Sequence, residues 1–105
     1  MKNQDEIIRI DDITLSPEAL RLTWREGYID FSEKEFELLY FLMSAPGTLF
    51  TKRQIMEEVW EGSEAESLIK AYIYRLRKKL KNCDRIHITS VRAKGYVADI
   101  RIKLL

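Results

Sequence analysis

Between Ser67 and Asn82 the chain reads SLIKAYIYRLRKKLKN. Ile69, Ile73, Leu76 and Leu80 recur every three or four residues, which on an α-helix places them in one line. Such a stripe must be pressed against other apolar surface, so the stretch demands a core built by the rest of the chain. At about 100° per residue, the far side carries Ser67, Ala71, Tyr74 and Lys78, with Lys70 and Lys81 along one edge and Arg75 along the other. No Asp or Glu falls within these residues. The stretch reads as one helix with a greasy face and a basic, partly small-residue face. On its own such a face can equally be plain solvated surface, so its neighbours must decide.

Charge is divided along the chain. Residues 1–66 hold seven Lys/Arg against fifteen Asp/Glu, and residues 67–105 hold eleven against two, so balances of −8 and +9 make up the net +1. This asymmetry suggests a polyanion-facing half carried on an acidic half. With so small a net charge, binding has to come from a local patch and should fade quickly with salt. A length of 105 residues fits one domain, and 46% hydrophobic with 33% charged is ordinary for a folded soluble protein. There is no apolar run of membrane-spanning length and no signal-peptide pattern. A lone cysteine, Cys83, makes no internal disulfide and has no partner cysteines for zinc, which points to a reducing, cytoplasmic setting.

Met1 to Glu6 is polar and expected to fray. Ile7–Ile10 and Ile13–Ser16 read as strands around an Asp11-Asp12 turn. Pro17-Glu18 marks a turn, Ala19–Trp24 a third strand, Arg25-Glu26-Gly27 a hairpin-like turn and Tyr28–Phe31 a fourth strand. The period then changes. Ser32 with Glu35 is a capping box that opens a helix to Ser44, with Phe36, Leu38, Leu39, Tyr40, Leu42 and Met43 on a broad apolar side and Pro46-Gly47 at its end. Leu49-Phe50 is a short extended link. Thr51 with Gln54 is a second capping box, for a short helix ending near Trp60 with Ile55, Met56, Val59 and Trp60 on its apolar side. Glu61 to Glu66 is an acidic loop in which Ser63 could start an early turn. After the basic helix, Asn82-Cys83-Asp84 is a turn, Ile86–Val91 a strand, Ala93-Lys94-Gly95 a tight turn, and Tyr96 to Ile100 or Ile102 the returning strand.

Two closely spaced helices followed by a hairpin form a winged helix-turn-helix layout. An α-helix fits the major groove of DNA, and a basic β-ribbon can lie against the backbone or the minor groove. Here the hairpin presents Arg92 and Lys94 around its turn, the kind of side chain that a narrow, strongly negative groove attracts.

From Phe31 to Val97 the sequence resembles the effector domain of the OmpR/PhoB family of bacterial response regulators. The matching stretches are FSEKEFELLYFLM, PGTLFTKRQIMEEVW, YIYRLRKKL and ITSVRAKGY. The resemblance implies an α+β fold: an N-terminal four-stranded antiparallel sheet (7–31), a three-helix core (32–82) and a C-terminal β-hairpin wing (86–102), all in one domain. It implies that the third helix enters the major groove of double-stranded DNA. Arg75 matches the family's base-contacting arginine, Tyr72 and Arg77 match phosphate contacts, Ser90 a small hydroxyl position near the backbone, and Arg92 the wing arginine. Ser67, Lys70, Ala71, Tyr74, Lys78 and Lys94 complete the expected DNA-facing set. The loop Glu61, Gly62, Ser63, Glu64, Ala65 and Glu66 matches the segment that touches RNA polymerase in activators, and family members commonly bind direct repeats as head-to-tail pairs. No receiver domain accompanies these residues, so the chain is expected to be an excised effector domain or a stand-alone relative.

The sequence departs from the family in several places. Ser67-Leu68 stands where an Arg-Thr pair is usual, Lys70 replaces an acid, Tyr74 replaces a basic residue, and Ala93 replaces the wing's first Gly. The acidic loop is about two residues shorter than is usual in the family. Phosphate chemistry survives these changes, whereas the base code should differ, because backbone contacts position and base contacts specify. A second class of function, a winged helix that binds protein through Tyr72 and Tyr74, is kept open by the small net charge and the lost Arg-Thr pair.

The remaining reactive residues have plainer readings. His87 is the only histidine and lies in a strand with no ligating cluster around it, so no metal or cofactor is expected. Cys83 reads as a helix-end residue, and Trp24, Trp60 and Tyr96 as packing residues. Gly95 relieves the turn, and Ser32 and Thr51 are caps and not nucleophiles. No triad or phosphate loop supports an enzyme.

Overall fold

The computed structural model describes residues 6–62 and 66–101. Four strands come first: β1 (Ile8–Ile10), β2 (Ile13–Ser16), β3 (Arg21–Trp24) and β4 (Gly27–Asp30). They pair antiparallel in sequence order. Two-residue turns join β1 to β2 at Asp11-Asp12 and β3 to β4 at Arg25-Glu26, across the pairs Ile10–Ile13 and Trp24–Gly27. Asp11 takes φ +58, a conformation that a short polar side chain tolerates. Ile13, Leu15, Leu22, Trp24 and Ile29 turn to one face and are buried.

The third strand is shorter than its sequence pattern predicts. Ala19 and Leu20 belong to the preceding turn, with Leu20 at φ +53 donating its N–H to the Pro17 carbonyl and accepting from the Phe31 N–H at 3.0 Å. The fourth strand starts one residue early at Gly27 and leaves Phe31 just outside, though still buried. The expected fray at the start also needs correction at Glu6, whose carbonyl accepts the Tyr40 hydroxyl at 2.6 Å. Met1 to Asp5, which shared that expectation, lie outside the described residues.

Helices α1 (Glu33–Met43) and α2 (Lys52–Trp60) both open on the expected capping boxes. At α1 the Ser32 Oγ accepts the Glu35 N–H and the Glu35 carboxylate accepts the Ser32 N–H. Thr51 and Gln54 do the same at α2. Leu49-Phe50, expected as a link, is part of a strand, β5 (Leu49–Thr51). It pairs with β7 (Gly95–Ile100), so the wing hairpin of β6 (Ile86–Val91) and β7 grows into a three-stranded sheet ordered β5-β7-β6. Flanking bonds lengthen this seam: Gly47 N–H to the Ala98 carbonyl at 2.8 Å and Lys52 N–H to the Lys94 carbonyl at 3.2 Å. The continuation of β7 to Ile102 falls outside the described residues.

Helix α3 (Glu66–Leu80) carries the basic stretch, one residue longer at its start and two shorter at its end than predicted. Its apolar stripe, Ile69, Ile73, Leu76 and Leu80, is buried in the same core as Leu38, Leu39, Leu42 and Met43 of α1 and Ile55 and Val59 of α2. Burial of each such aliphatic side chain is worth about 1.5–3 kcal/mol as an upper bound. The stripe therefore sets the rotation of α3 about its axis and so decides which side chains face outward.

Candidate nucleic-acid interface

The outward side of α3 bears Ser67, Lys70, Ala71, Tyr74, Arg75 and Lys78, all exposed. Among the described residues Tyr74 is the most exposed large apolar side chain, at 66%. The last turn adds Arg77, Lys78 and Lys79, the sign of charge favoured at a helix C-terminus. Glu66, the sole acid of α3, sits in its first turn and pairs with Lys52 at 3.6 Å.

The three cations of the last turn have separate fates. Lys78 stays exposed. Lys79 turns inward, donating to the Glu35 carboxylate at 2.8 Å and the Asp30 carbonyl at 3.0 Å, with its ammonium 5.3 Å from the Phe31 ring. Burial pushes the Glu35 carboxyl up, but the Lys79 bond and the Ser32 amide outweigh it and hold the group below the ordinary range. Arg77 reaches the wing: Nε and Nη2 donate to the Ile88 carbonyl at 3.1 and 2.8 Å, and Nη2 donates to Ser90 Oγ at 2.9 Å. Arg77 and Ser90, expected as phosphate neighbours, are thus brought together as a clamp between α3 and β6.

Arg75 lies over the Tyr72 ring, 4.6 Å from its centroid, and Tyr72 meets the Trp60 ring edge-on at 5.4 Å and 64°. Tyr72 is half-buried and Trp60 buried, so neither is an open stacking platform.

At the wing tip Arg92 and Lys94 are exposed on either side of Ala93, and the Lys94 N–H closes the turn onto the Val91 carbonyl at 2.9 Å. Ala93 takes φ +64, a left-handed backbone that disfavours a Cβ. The role expected of Gly95 needs restating. A Cβ there would stand 1.9 Å from the Phe50 carbonyl oxygen, so the residue is small because β5 passes close by. Tyr96 is buried beneath the sheet as expected. Lys52, Arg53, Glu66 and Lys94 border one shallow cleft, which sets the wing tip beside the starts of α2 and α3. Lys52 and Arg53 extend the basic surface and were not among the residues selected from sequence.

The acidic loop is only partly described. Glu61 caps α2 at φ +55, Gly62 follows at φ +76 with its N–H on the Met56 carbonyl, and Glu66 opens α3. Ser63, with its expected early turn, Glu64 and Ala65 lie outside the described residues.

Sequence reasoning also missed Arg85. It is buried at 4% exposure and donates to both Asp11 and Asp12 of the first turn, and its Nε donates to the Arg101 carbonyl at 2.7 Å. The Arg85 bond and the Arg25 N–H hold the Asp12 carboxyl below the ordinary range. This knot ties the base of the wing to the N-terminal sheet. His87 is an exposed strand residue. Cys83 is buried, and burial pushes its thiol up, away from the reactive thiolate.

The family model described as transcriptional regulatory protein, C terminal, matches residues 25–98. The response regulator ArlR of Staphylococcus aureus is 36% identical over 97 residues, covering 90% of this chain and 44% of ArlR. The chain therefore spans less than half the length of that relative. The C-terminal domain of the nisin resistance regulator NsrR, a lantibiotic response regulator, superimposes with a TM-score of 0.74 at 25% identity, over 85% of this chain and 92% of that one. The DNA-binding domain of Klebsiella pneumoniae RstA, solved in complex with the RstA box, shares the fold with a TM-score of 0.74 at 22% identity, over 90% of this chain and 97% of that one.

Proposed function

The chain belongs to the family of transcriptional regulatory protein C-terminal domains, the winged helices of OmpR/PhoB type, and on that premise we propose that it reads double-stranded DNA as a sequence-specific regulator of transcription. The observation that carries this is the division of α3. Its apolar stripe is fully spent on the core, which leaves Lys70, Arg75 and Lys78 outward beside a wing tip bearing Arg92 and Lys94. The RstA domain seen on its DNA box lends the fold a precedent. In this reading α3 lies in the major groove. Arg75 supplies paired donors to a guanine edge, and Ala71 and Tyr74 supply apolar contact of the kind that reads a thymine methyl. Ser67, Lys70, Lys78 and Lys94 position the domain on phosphates, and Arg92 enters the minor groove.

Two finer features rest on the family resemblance. Copies would bind direct repeats head to tail, and the Glu61–Glu66 loop would be the surface offered to RNA polymerase. A cytoplasmic location follows from the same function. No helix among the described residues is long and apolar enough to cross a membrane.

Selection of duplexes from a random pool, followed by binding measured against salt, tests the proposal. Arg75→Ala should relax the selected sequence, whereas Lys78→Ala should weaken all duplexes alike and lower the salt slope by about 0.9. Binding to no duplex at low salt would overturn the DNA reading. It would favour the alternative, a protein-binding surface centred on the exposed Tyr74.

A further inference from the structure

We propose that Tyr72 is a positioning residue for base readout: its ring, braced by Trp60, holds the Arg75 guanidinium by its face and leaves the donor edge free for a base. The inference rests on the DNA reading above and assigns Tyr72 a role other than a phosphate contact.

Three observations carry it. Arg75 sits one helical turn beyond Tyr72, with its guanidinium carbon 4.6 Å from the ring centroid. Trp60, the last residue of α2, is buried and meets the Tyr72 ring edge-on at 5.4 Å, so the ring has a rigid backing from another helix. Among the described residues no carboxylate pairs with Arg75, so its head is held by the ring alone. Its neighbour Arg77 is held in the opposite way, with Nε and Nη2 both given to Ile88 and Ser90.

The chemical consequence lies in which part of the guanidinium is used. Its five N–H donors lie in the plane, pointing outward. An ion pair would occupy them, whereas stacking occupies the face and leaves them available for a guanine O6 and N7. A long exposed side chain otherwise has many rotamers to lose on binding. At an exposed site a ring contact of this type is worth about two- to fivefold in an equilibrium constant. That gain should appear only on the base that Arg75 reads.

The test uses Tyr72→Phe, Tyr72→Leu, Arg75→Ala and the Tyr72→Leu/Arg75→Ala double variant in the full chain, with folding checked by circular dichroism. Tyr72→Phe keeps the ring and removes the hydroxyl, and it should select the same duplex with affinity within about twofold of the unaltered protein. Tyr72→Leu keeps bulk and removes the ring. It should lose about two- to fivefold on the selected duplex, with preference relaxed only at the base positions that Arg75→Ala also relaxes. The double variant should be no weaker than Arg75→Ala alone. A second measurement needs no DNA: the Arg75 side-chain protons of the free protein should be shifted upfield by the ring in NMR spectra, and this shift should vanish in Tyr72→Leu and persist in Tyr72→Phe.

Equal losses for Tyr72→Phe on every duplex would mark a phosphate contact and overturn the proposal, as would additive losses in the double variant or unshifted Arg75 protons. If the unaltered protein selects no duplex, the DNA reading fails and the readout role falls with it. The ring shift then tells whether the stack itself exists.

Discussion

Gly95→Ala puts the three-stranded wing sheet under direct strain. The added Cβ would lie 1.9 Å from the Phe50 carbonyl oxygen and 2.9 Å from the Phe50 carbonyl carbon and the Thr51 Cα. Ordinary contact begins near 3.4 Å, so β5 and β7 must part by about 1.5 Å. These are backbone atoms, so no side chain can swing away. Separation weakens the ladder at the Phe50–Tyr96 and Thr51–Gly95 pairs, at about 1 kcal/mol per pair. It also disturbs Phe50, whose ring packs 4.4 Å from that of Phe41 on α1, a contact worth about 0.5–1.5 kcal/mol. The expected loss is about 3 kcal/mol, and for a domain near this size that lowers the Tm by roughly 12–24 °C. Thermal melting followed by circular dichroism measures it. Hydrogen exchange should locate the damage, with β5 and β7 amides losing protection while β2 and β3 amides keep theirs. A Tm within about 4 °C of the unaltered protein, less than the shift expected for 1 kcal/mol, would refute the close-approach argument.

At the other end of the same turn the sign reverses: Ala93→Gly relieves a residue at φ +64 and should stabilise the fold by about 1 kcal/mol, read as a raised Tm. Arg77→Ala leaves the Ile88 carbonyl without its donor and should cost about 1–2 kcal/mol, with faster exchange of β6 amides. Unchanged stability with uniformly weaker DNA binding would instead assign Arg77 to a phosphate. Asp12 and Glu35 are held below the ordinary carboxylate range. Each stabilises the fold in full above its unfolded value near pH 4, and that stabilisation is lost as pH falls through the lower folded value. Glu35→Gln should therefore flatten the stability curve below about pH 4, and an unchanged curve in urea titrations would refute the assignment.

The elements that depend on near neighbours were legible in the chain itself. The stripe from Ile69 to Leu80 is the buried side of α3, and the two capping boxes open α1 and α2 where their Ser-x-x-Glu and Thr-x-x-Gln spacing requires. The outward set of Lys70, Tyr74, Arg75 and Lys78 follows from the same periodicity, because one buried stripe leaves only one free face. What escaped the sequence depends on partners far along the chain. Leu49-Phe50 carries too little pattern to announce a strand, and it becomes one only because β7, more than forty residues on, supplies an edge. Ala19 and Leu20 alternate like a strand, yet the Leu20 bonds to Pro17 and Phe31 bend them into a turn. Arg85 looked like one more cation until folding set it against Asp11 and Asp12. Arg75 and Arg77 look alike in RLRKKL, and only the approach of the Tyr72 ring to one and of the Ile88 carbonyl to the other separates a guanidinium stacked by its face from one clamped by its donors. Local periodicity determined which face of the helix is free. Long-range packing decided how each side chain on that face is held, because hydrogen-bond and ring partners are matters of distance in space and not of spacing along the chain.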